Sequence, residues 1–378
     1  MWAVFRIFRK KKMEHDPLVY WCALNLIFAD RCGAGISLIE RFPDPEEIFS
    51  LSRRKLLDIM PGGERYVGLI LDGEMVDRAA EDVKWARRYD IRVETYFSDG
   101  YPSRLRECPD APLVLYCKGE VNLNAARVVS IVGTRRASFY GRSAVKTVVE
   151  SLAKEDVKPL IVSGLALGVD GAAHRAALEM GLDTVAVLPT GLDEIYPPRH
   201  RELAARILEK GGLVTDFPRN TLPARYTFLK RNRIIAGMAD AVLLAQSYAK
   251  GGGLITASLA VQYDRELFAV PGNMDDPSFE GCNNLIYNNK AVIMNSPRAI
   301  ADTLGWKREP VREPGLFDAS VSEKGSVILS LLRSGGPMTA EDIATCSGMA
   351  PGTLSSELLA LELAGRIFND RHFYYLCR

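Results

Sequence analysis

Val128-Val-Ser-Ile-Val132-Gly133-Thr-Arg-Arg-Ala-Ser138 and, a helix further on, Leu160-Ile-Val162-Ser163-Gly-Leu-Ala-Leu-Gly168 decide the fold. Each is a short apolar run rich in β-branched residues that ends on glycine and polar residues where a helical pattern begins. The same unit recurs at Thr184–Leu188, Leu213–Thr215, Ala241–Ala245, Leu267–Val270 and Ala291–Met294, with helices fitting at Val169–Met180, Arg201–Glu209 and Leu254–Gln262. Near-continuous apolar strands alternating with helices predict a parallel sheet covered on both faces. The fold class is therefore α/β, a doubly wound Rossmann-like sheet. Upstream, the spacing predicts a long helix over Val76–Tyr89 and two further β-like runs, Ile91–Phe97 and Leu113–Cys117.

Working outward, residues 15–75 read as a small helical domain of SAM or helix-hairpin-helix type. Leu18, Trp21, Leu24 and Ile27 keep helical spacing, and a second apolar helix runs near Ile36–Phe42. Between them, Cys32-Gly-Ala-Gly-Ile36 reads as a tight interhelical turn; a loop offering N–H groups to a DNA phosphate is the alternative. Residues 76–304 form the extended sheet domain. Residues 305–320, with two prolines and no period, read as a linker. Residues 321–378 carry helical runs and a terminal two-stranded pattern, which fits a winged helix. Residues 1–14 are a basic tail read as disordered. A start at Met13 and a membrane-surface helix are the other readings of that tail.

The chain has 378 residues, 47% of them hydrophobic and 25% charged. That is ordinary for a globular protein of two or three domains and excludes fibrous or disordered classes. The formal net charge is +1, which excludes a general basic coat, so any anion site must be a local cluster. The seven cysteines include no C-x-x-C pair, which argues against a disulfide scaffold and a structural zinc site. His15, His174, His200 and His372 are scattered. No metal or cofactor is expected, and no stretch is long and apolar enough to span a bilayer.

Doubly wound sheets bind ligands at the carboxyl ends of their strands. The segments found there are Gly133-Thr134-Arg135, Ser163-Gly164-Leu165, Tyr196-Pro-Pro-Arg199-His-Arg201, Arg225-Tyr-Thr-Phe228-Leu-Lys230-Arg231-Asn232-Arg233 and Lys250-Gly251-Gly252-Gly253. Glycines let backbone approach a phosphate, and helix N-terminal N–H groups satisfy its oxygens. Basic residues interleaved with Phe139, Tyr140, Tyr226 and Phe228 supply charge for a phosphate backbone and flat rings for unstacked bases. No G-x-x-x-x-G-K-[ST] or G-x-G-x-x-G is present, so P-loop and dinucleotide sites are not supported. Asp170 and His174 share one helical face. A structural hydrogen bond between them is the expectation, with a metal or acid–base pair as the alternative.

In their order along 127–295, these segments resemble the DprA/Smf family of DNA-processing proteins. Val132-Gly-Thr-Arg-Arg-Ala-Ser138, Ser163-Gly-Leu-Ala-Leu-Gly-Val-Asp170, Arg231-Asn-Arg-Ile-Ile-Ala-Gly237, Gly252-Gly-Leu-Ile-Thr-Ala257, Phe268-Ala-Val-Pro-Gly272 and Gly281-Cys-Asn283 carry the likeness. It implies a cytoplasmic, non-catalytic, dimeric protein that protects single-stranded DNA and loads a RecA-type recombinase in natural transformation or recombination. By the same likeness Gly133–Arg135, Ser163–Leu165, Arg231–Arg233 and Lys250–Gly253 hold the DNA backbone. Lys230 is added by charge and adjacency, and Arg199 by its place after Tyr196-Pro197. Gln246 and Gly251 depart from the family pattern beside the phosphate turn. The alternative is a phosphoribohydrolase resembling the LOG proteins, but Gly251-Gly-Gly-Leu-Ile-Thr-Ala257 lacks their glutamate. In residues 321–378, five Lys/Arg face six Asp/Glu, and Thr353–Ala364 holds Glu357 and Glu362 with no Lys or Arg. That charge predicts a protein-contact or regulatory winged helix.

Overall fold

The computed structural model describes residues 16–307, 322–370 and 372–376; the expected tail 1–14 and most of the expected linker lie outside them. The chain divides between residues 309 and 310 into two compact units.

The first unit opens with six helices: α1 (Pro17–Ile27), α2 (Cys32–Arg41), α3 (Pro45–Ser50), α4 (Arg53–Ile59), α5 (Glu64–Asp72) and α6 (Glu74–Arg88). Asp16 caps α1, and Pro17 occupies its first turn, where the missing N–H costs nothing. The sheet domain follows as β1 (Arg92–Thr95), α7 (Ser103–Arg106), β2 (Val114–Lys118), β3 (Val128–Gly133), α8 (Phe139–Leu152), β4 (Leu160–Ser163), α9 (Val169–Glu179), β5 (Thr184–Val187), α10 (Arg201–Leu208), β6 (Gly212–Thr215), α11 (Arg225–Gly237), β7 (Ala241–Gln246), α12 (Gly253–Gln262), β8 (Glu266–Ala269), α13 (Glu280–Tyr287), β9 (Val292–Ile293) and α14 (Ala299–Thr303).

The strand order is β1-β2-β6-β5-β4-β3-β7-β8-β9. From β6 to β9 the pairings are parallel, as the apolar strands predict. The sheet is mixed at one edge, where β2 runs antiparallel to both β1 and β6. The chain winds from β3 outward to β6, then returns to start β7 on the other side of β3. That reversal opens a crevice beyond the carboxyl ends of β3 and β7. The central strands β3, β4, β5, β6 and β7 are buried almost throughout, because helices cover both faces.

The amino-terminal helices do not form a separate core. Val19, Leu24 and Ile39 join the same buried cluster as Val129, Leu243 and Phe268 of the sheet. The Asn25 side chain donates across this junction to the Asp216 carbonyl at 3.0 Å. The Gly33-Ala-Gly35 stretch is not a turn: it lies inside the start of α2. A β-carbon on Gly35 would lie 2.9 Å from Leu113 Cδ1 and 3.0 Å from Phe28 Cβ, so close helix packing explains this glycine and no phosphate loop exists there.

The second unit contains α15 (Glu323–Gly335), β10 (Met338–Thr339), α16 (Ala340–Ser347), α17 (Pro351–Leu363), β11 (Ile367–Asp370) and β12 (Phe373–Leu376). Its strands form an antiparallel sheet in the order β10-β12-β11. Ile328, Leu332, Ile343, Leu354, Leu358, Leu361 and Ile367 bury together as its own core. Three helices with a strand hairpin make a winged helix.

Candidate nucleic-acid interface

A cleft of about 430 Å³ sits at the reversal point of the sheet. Gly133, Thr134, Arg135 and Arg136 after β3 form one wall, and Gly251, Gly252 and Gly253 at the start of α12 form another. Ala166 and Asp170 come from the β4–α9 connection, and Phe228, Leu229, Arg231, Asn232 and Ile235 come from α11. No side chain caps the N-terminus of α12; its Leu254 and Ile255 amides donate to the carbonyls of Gly251 at 3.1 Å and Gly252 at 3.2 Å, and the helix start borders the cleft. Three arginines against one aspartate make the lining electropositive, although the whole chain is nearly neutral. Arg135 and Arg136 are exposed and have no ion pair among the described residues.

The Arg135 guanidinium stands 4.7 Å from the centre of the Phe228 ring. Phe228 in turn meets Tyr196 edge-on at 5.6 Å between ring centres. An arginine spread over an aromatic face keeps its outer edge free for a phosphate.

The backbone of this cleft is tightly built. The Thr134 amide donates to the Gln246 carbonyl at 2.9 Å, and the Val169 amide donates to the Thr134 carbonyl at 3.2 Å. Gly168 has a φ of +79°, and a β-carbon there would collide with the Thr134 carbonyl. Leu165 holds a φ of +57° without being glycine, a strained conformation of the kind found at binding loops. Gln246 is fully buried. Its Oε1 accepts from the Ser138 amide at 2.9 Å, and its Nε2 donates to Ser278 Oγ at 2.6 Å. The glutamine thus ties the β3–α8 turn to the loop before α13 and does not reach the cleft itself.

The expected site residues divide into two groups. Gly133, Thr134, Arg135, Arg231, Asn232, Gly251, Gly252 and Gly253 come together in the cleft, and Lys250 is exposed beside it in the same turn. Ser163 and Leu165 are fully buried. The Ser163 hydroxyl donates to the Ile131 carbonyl at 2.6 Å, so this side chain joins β3 to β4. Gly164 is buried as well and offers its carbonyl to Arg231 Nη1 at 2.6 Å. Arg199 lies exposed in the short Pro198–His200 turn, outside the cleft lining.

Lys230 and Arg233 lie outside the cleft lining. They are three residues apart on α11 and so share a face, and that face meets the buried Asp216. The Lys230 ammonium is 3.5 Å from the Asp216 carboxylate, and Arg233 forms an ion pair with it. Arg233 also donates to the Asp110 carbonyl and contacts Cys32 Sγ. Burial alone would lower the Arg233 pKa, but the Asp216 carboxylate outweighs it and drives the pKa upward. This arginine locks α2 and the segment before β2 onto the sheet.

Arg231 occupies the cleft floor and is only 3% exposed. It donates to the carbonyls of Gly164 and Val187. Burial lowers its pKa to about 10, which leaves it charged. Burial pushes the Asp170 carboxyl upward, opposed by Arg231, and Asp170 Oδ2 accepts from the Ala166 amide at 3.3 Å. The expected Asp170–His174 pairing is not made: His174 Nδ1 instead meets Thr184 Oγ1 at 2.7 Å. Burial lowers the His174 pKa to about 3, so it is a neutral core residue. The other imidazole of this region, His200, sits 2.8 Å from the Leu165 carbonyl through Nδ1 and supports the strained loop.

Residues 92–305 match the family model described as DNA recombination-mediator protein A, and residues 318–369 match the DprA winged helix domain. Among curated proteins, the putative DNA processing protein DprA of Mycobacterium tuberculosis is 34% identical over 77% of this chain and 78% of its own length. Protein Smf of Escherichia coli is 36% identical over 71% and 73%, respectively. The solved structure of DNA processing protein A from Streptococcus pneumoniae aligns over 77% of this chain and 98% of that one, with a TM-score of 0.62 and 28% identity. A structure of DNA processing protein A from Helicobacter pylori, reported for its single-stranded DNA binding mode, aligns over 56% of this chain and 95% of that one, with a TM-score of 0.51 and 30% identity.

Proposed function

The chain belongs to the DprA/Smf family of DNA-processing proteins, and from that premise we propose that it binds single-stranded DNA in the reversal-point cleft, shields it and passes it to a RecA-type recombinase, acting as a homodimer in the cytoplasm without catalysing a reaction. The same proposal assigns residues 15–75 to a SAM-like helical domain, 76–304 to the DNA-binding sheet domain, 305–320 to a linker and 321–378 to a winged-helix module.

One observation carries the reading: a glycine-walled, electropositive cleft at the sheet reversal with an arginine-backed aromatic ring on its wall. The division of labour follows from the chemistry. Backbone around Gly133–Arg135 and the uncapped start of α12 receive a phosphate. Arg135 and Lys250 add charge, and Arg231 lends a fixed positive potential from below. Phe228 offers a flat partner to a base exposed in a single strand. In a duplex that base face is already stacked, so the ring has nothing to receive. Among the lining residues Asp170 is the one carboxylate, and its hydrogen bond to Ala166 gives it a structural task. The Helicobacter pylori relative, whose structure was reported for single-stranded DNA binding, supports the choice of ligand.

The test is a gel shift with single- and double-stranded DNA, repeated with a RecA-type recombinase added. The proposal expects a shift with single strands, a far weaker one with duplex, and faster recombinase assembly on the protein-bound strand. Equal binding of both DNA forms would overturn the ligand assignment, and unchanged recombinase assembly would overturn the loading role.

A further inference from the structure

Beside the cleft lies an aromatic and basic surface that the site above does not use. Phe139, the first residue of α8, is 81% exposed, and its neighbour Tyr140 is 51% exposed. Such exposure of a phenylalanine on a helix start serves no packing purpose. Tyr140 is fixed by its hydroxyl, which donates to the Pro271 carbonyl at 3.0 Å, and by its ring against Phe279 at 5.4 Å. That bond brings the loop after β8 alongside, and Met274 of the same loop is 89% exposed. Arg136 and Arg142 flank the patch, both exposed and without an ion pair among the described residues. The Arg142 guanidinium lies against the Ala137 carbonyl, which places its charge over the same turn.

We infer that a single strand held in the cleft continues over the first turn of α8, with Phe139 as a second base-stacking platform and Arg136 and Arg142 as its phosphate contacts. This rests on the proposed function and lengthens the footprint it describes. Three considerations support it. First, Arg136 lines the cleft, and Phe139 follows three residues later, at most about 11 Å away along the chain. A single strand with unstacked bases covers that gap in a few nucleotides. Second, guanidinium groups with no carboxylate partner among the described residues match a phosphate backbone, whereas a purely apolar protein contact would desolvate their charge without a counter-ion. Third, the composition repeats that of the cleft: an exposed ring between arginines, the combination single strands require.

The test uses the full chain and oligothymidylates of graded length. Phe139→Ala should weaken binding of oligomers longer than the cleft by about five- to a hundred-fold and leave the shortest bound oligomer unaffected. Phe139→Trp should restore the loss. Arg142→Ala should flatten the salt dependence for long oligomers only. If Arg135→Ala weakens all lengths while Phe139→Ala changes none, the extension is wrong and the cleft assignment stands. Weakening by Phe139→Ala that is equal at every length would also overturn it, because the ring would then belong to the cleft or act through the fold. If the wild type retains no oligomer, the underlying ligand assignment has failed. Slower recombinase loading by Phe139→Ala with unchanged DNA affinity would identify the patch as a protein contact and overturn the inference.

Discussion

The guanidinium of Arg135 rests on the face of Phe228, 4.7 Å from the ring centre, and joins the turn after β3 to α11 across the mouth of the cleft. The two side chains divide the recognition of a nucleotide, with charge from one and a flat surface from the other. Phe228→Ala should therefore lower single-stranded DNA affinity by about five- to a hundred-fold, measured by fluorescence anisotropy. Phe228→Tyr, which keeps a ring, should stay close to wild type. Wild-type affinity in Phe228→Ala would remove stacking from the account.

Arg233 should matter for folding and not for DNA. It forms a buried ion pair with Asp216, and removal of one partner from such a pair typically costs about 3–5 kcal/mol. Arg233→Met should show that loss in denaturant unfolding. The fraction still folded should bind single strands with undiminished affinity. A stable Arg233→Met protein that has lost DNA binding would put this arginine back in the site.

Gly164→Ala tests the cleft floor. A β-carbon at this position would run into the Arg231 guanidinium, which would have to leave the carbonyls of Gly164 and Val187. The unpaired buried groups should cost about 1–3 kcal/mol, seen as a lower melting temperature. A melting temperature equal to wild type would show that Arg231 has room to move.

His174 should make the fold sensitive to acid. Its pKa in the folded chain is held down to about 3 by burial, against roughly 6.5 when unfolded. A group depressed on folding contributes stability that is complete above pH 6.5 and declines as the pH falls towards 3. The unfolded chain takes up the proton first, with a slope of at most about 1.4 kcal/mol per pH unit. Unfolding free energies between pH 7 and pH 4 should fall less steeply in His174→Gln. Parallel curves for the two proteins would assign the acid sensitivity elsewhere.

The winged helix should not bind duplex DNA tightly. Helix α17, in the position of a recognition helix, has no lysine or arginine, and Leu359 and Leu363 are exposed on it. Groove binding draws most of its affinity from phosphate-neutralising cations. A fluorescence titration of residues 318–378 at physiological salt should show no sub-micromolar duplex binding. Tight binding there would refute the protein-contact role.

Strand positions were legible in the sequence because buried parallel strands are written as continuous apolar runs. The Val128, Leu160, Thr184 and Ala241 starts agree with the structure to the residue. The residues around the cleft were legible because doubly wound sheets bind at the carboxyl ends of their strands, while the strand order that puts the reversal between β3 and β7 was not. What was hidden is which basic residues face it. Arg231 and Arg233 look equivalent in the run Lys230–Arg233, yet two helical steps rotate them by about 200°. Spacing held the answer: Phe228, Arg231 and Ile235 recur on one helical face, while Lys230 and Arg233 share another. The partner of that second face, Asp216, comes from the far end of β6, and the sequence has no local sign of the pairing. The same is true of His174 with Thr184. The glycines of Cys32–Ile36 misled because close helix packing and a tight turn both select glycine.

The central claim is that the reversal-point cleft holds a single strand, and Arg135 tests it most directly. Anisotropy titrations of wild type and Arg135→Ala with single-stranded DNA over a range of salt concentrations should show weaker binding by the variant for every sequence. The slope of log affinity against log salt should be smaller by about one, with an unchanged melting temperature. Equal affinity and equal salt slope in the two proteins would contradict the account.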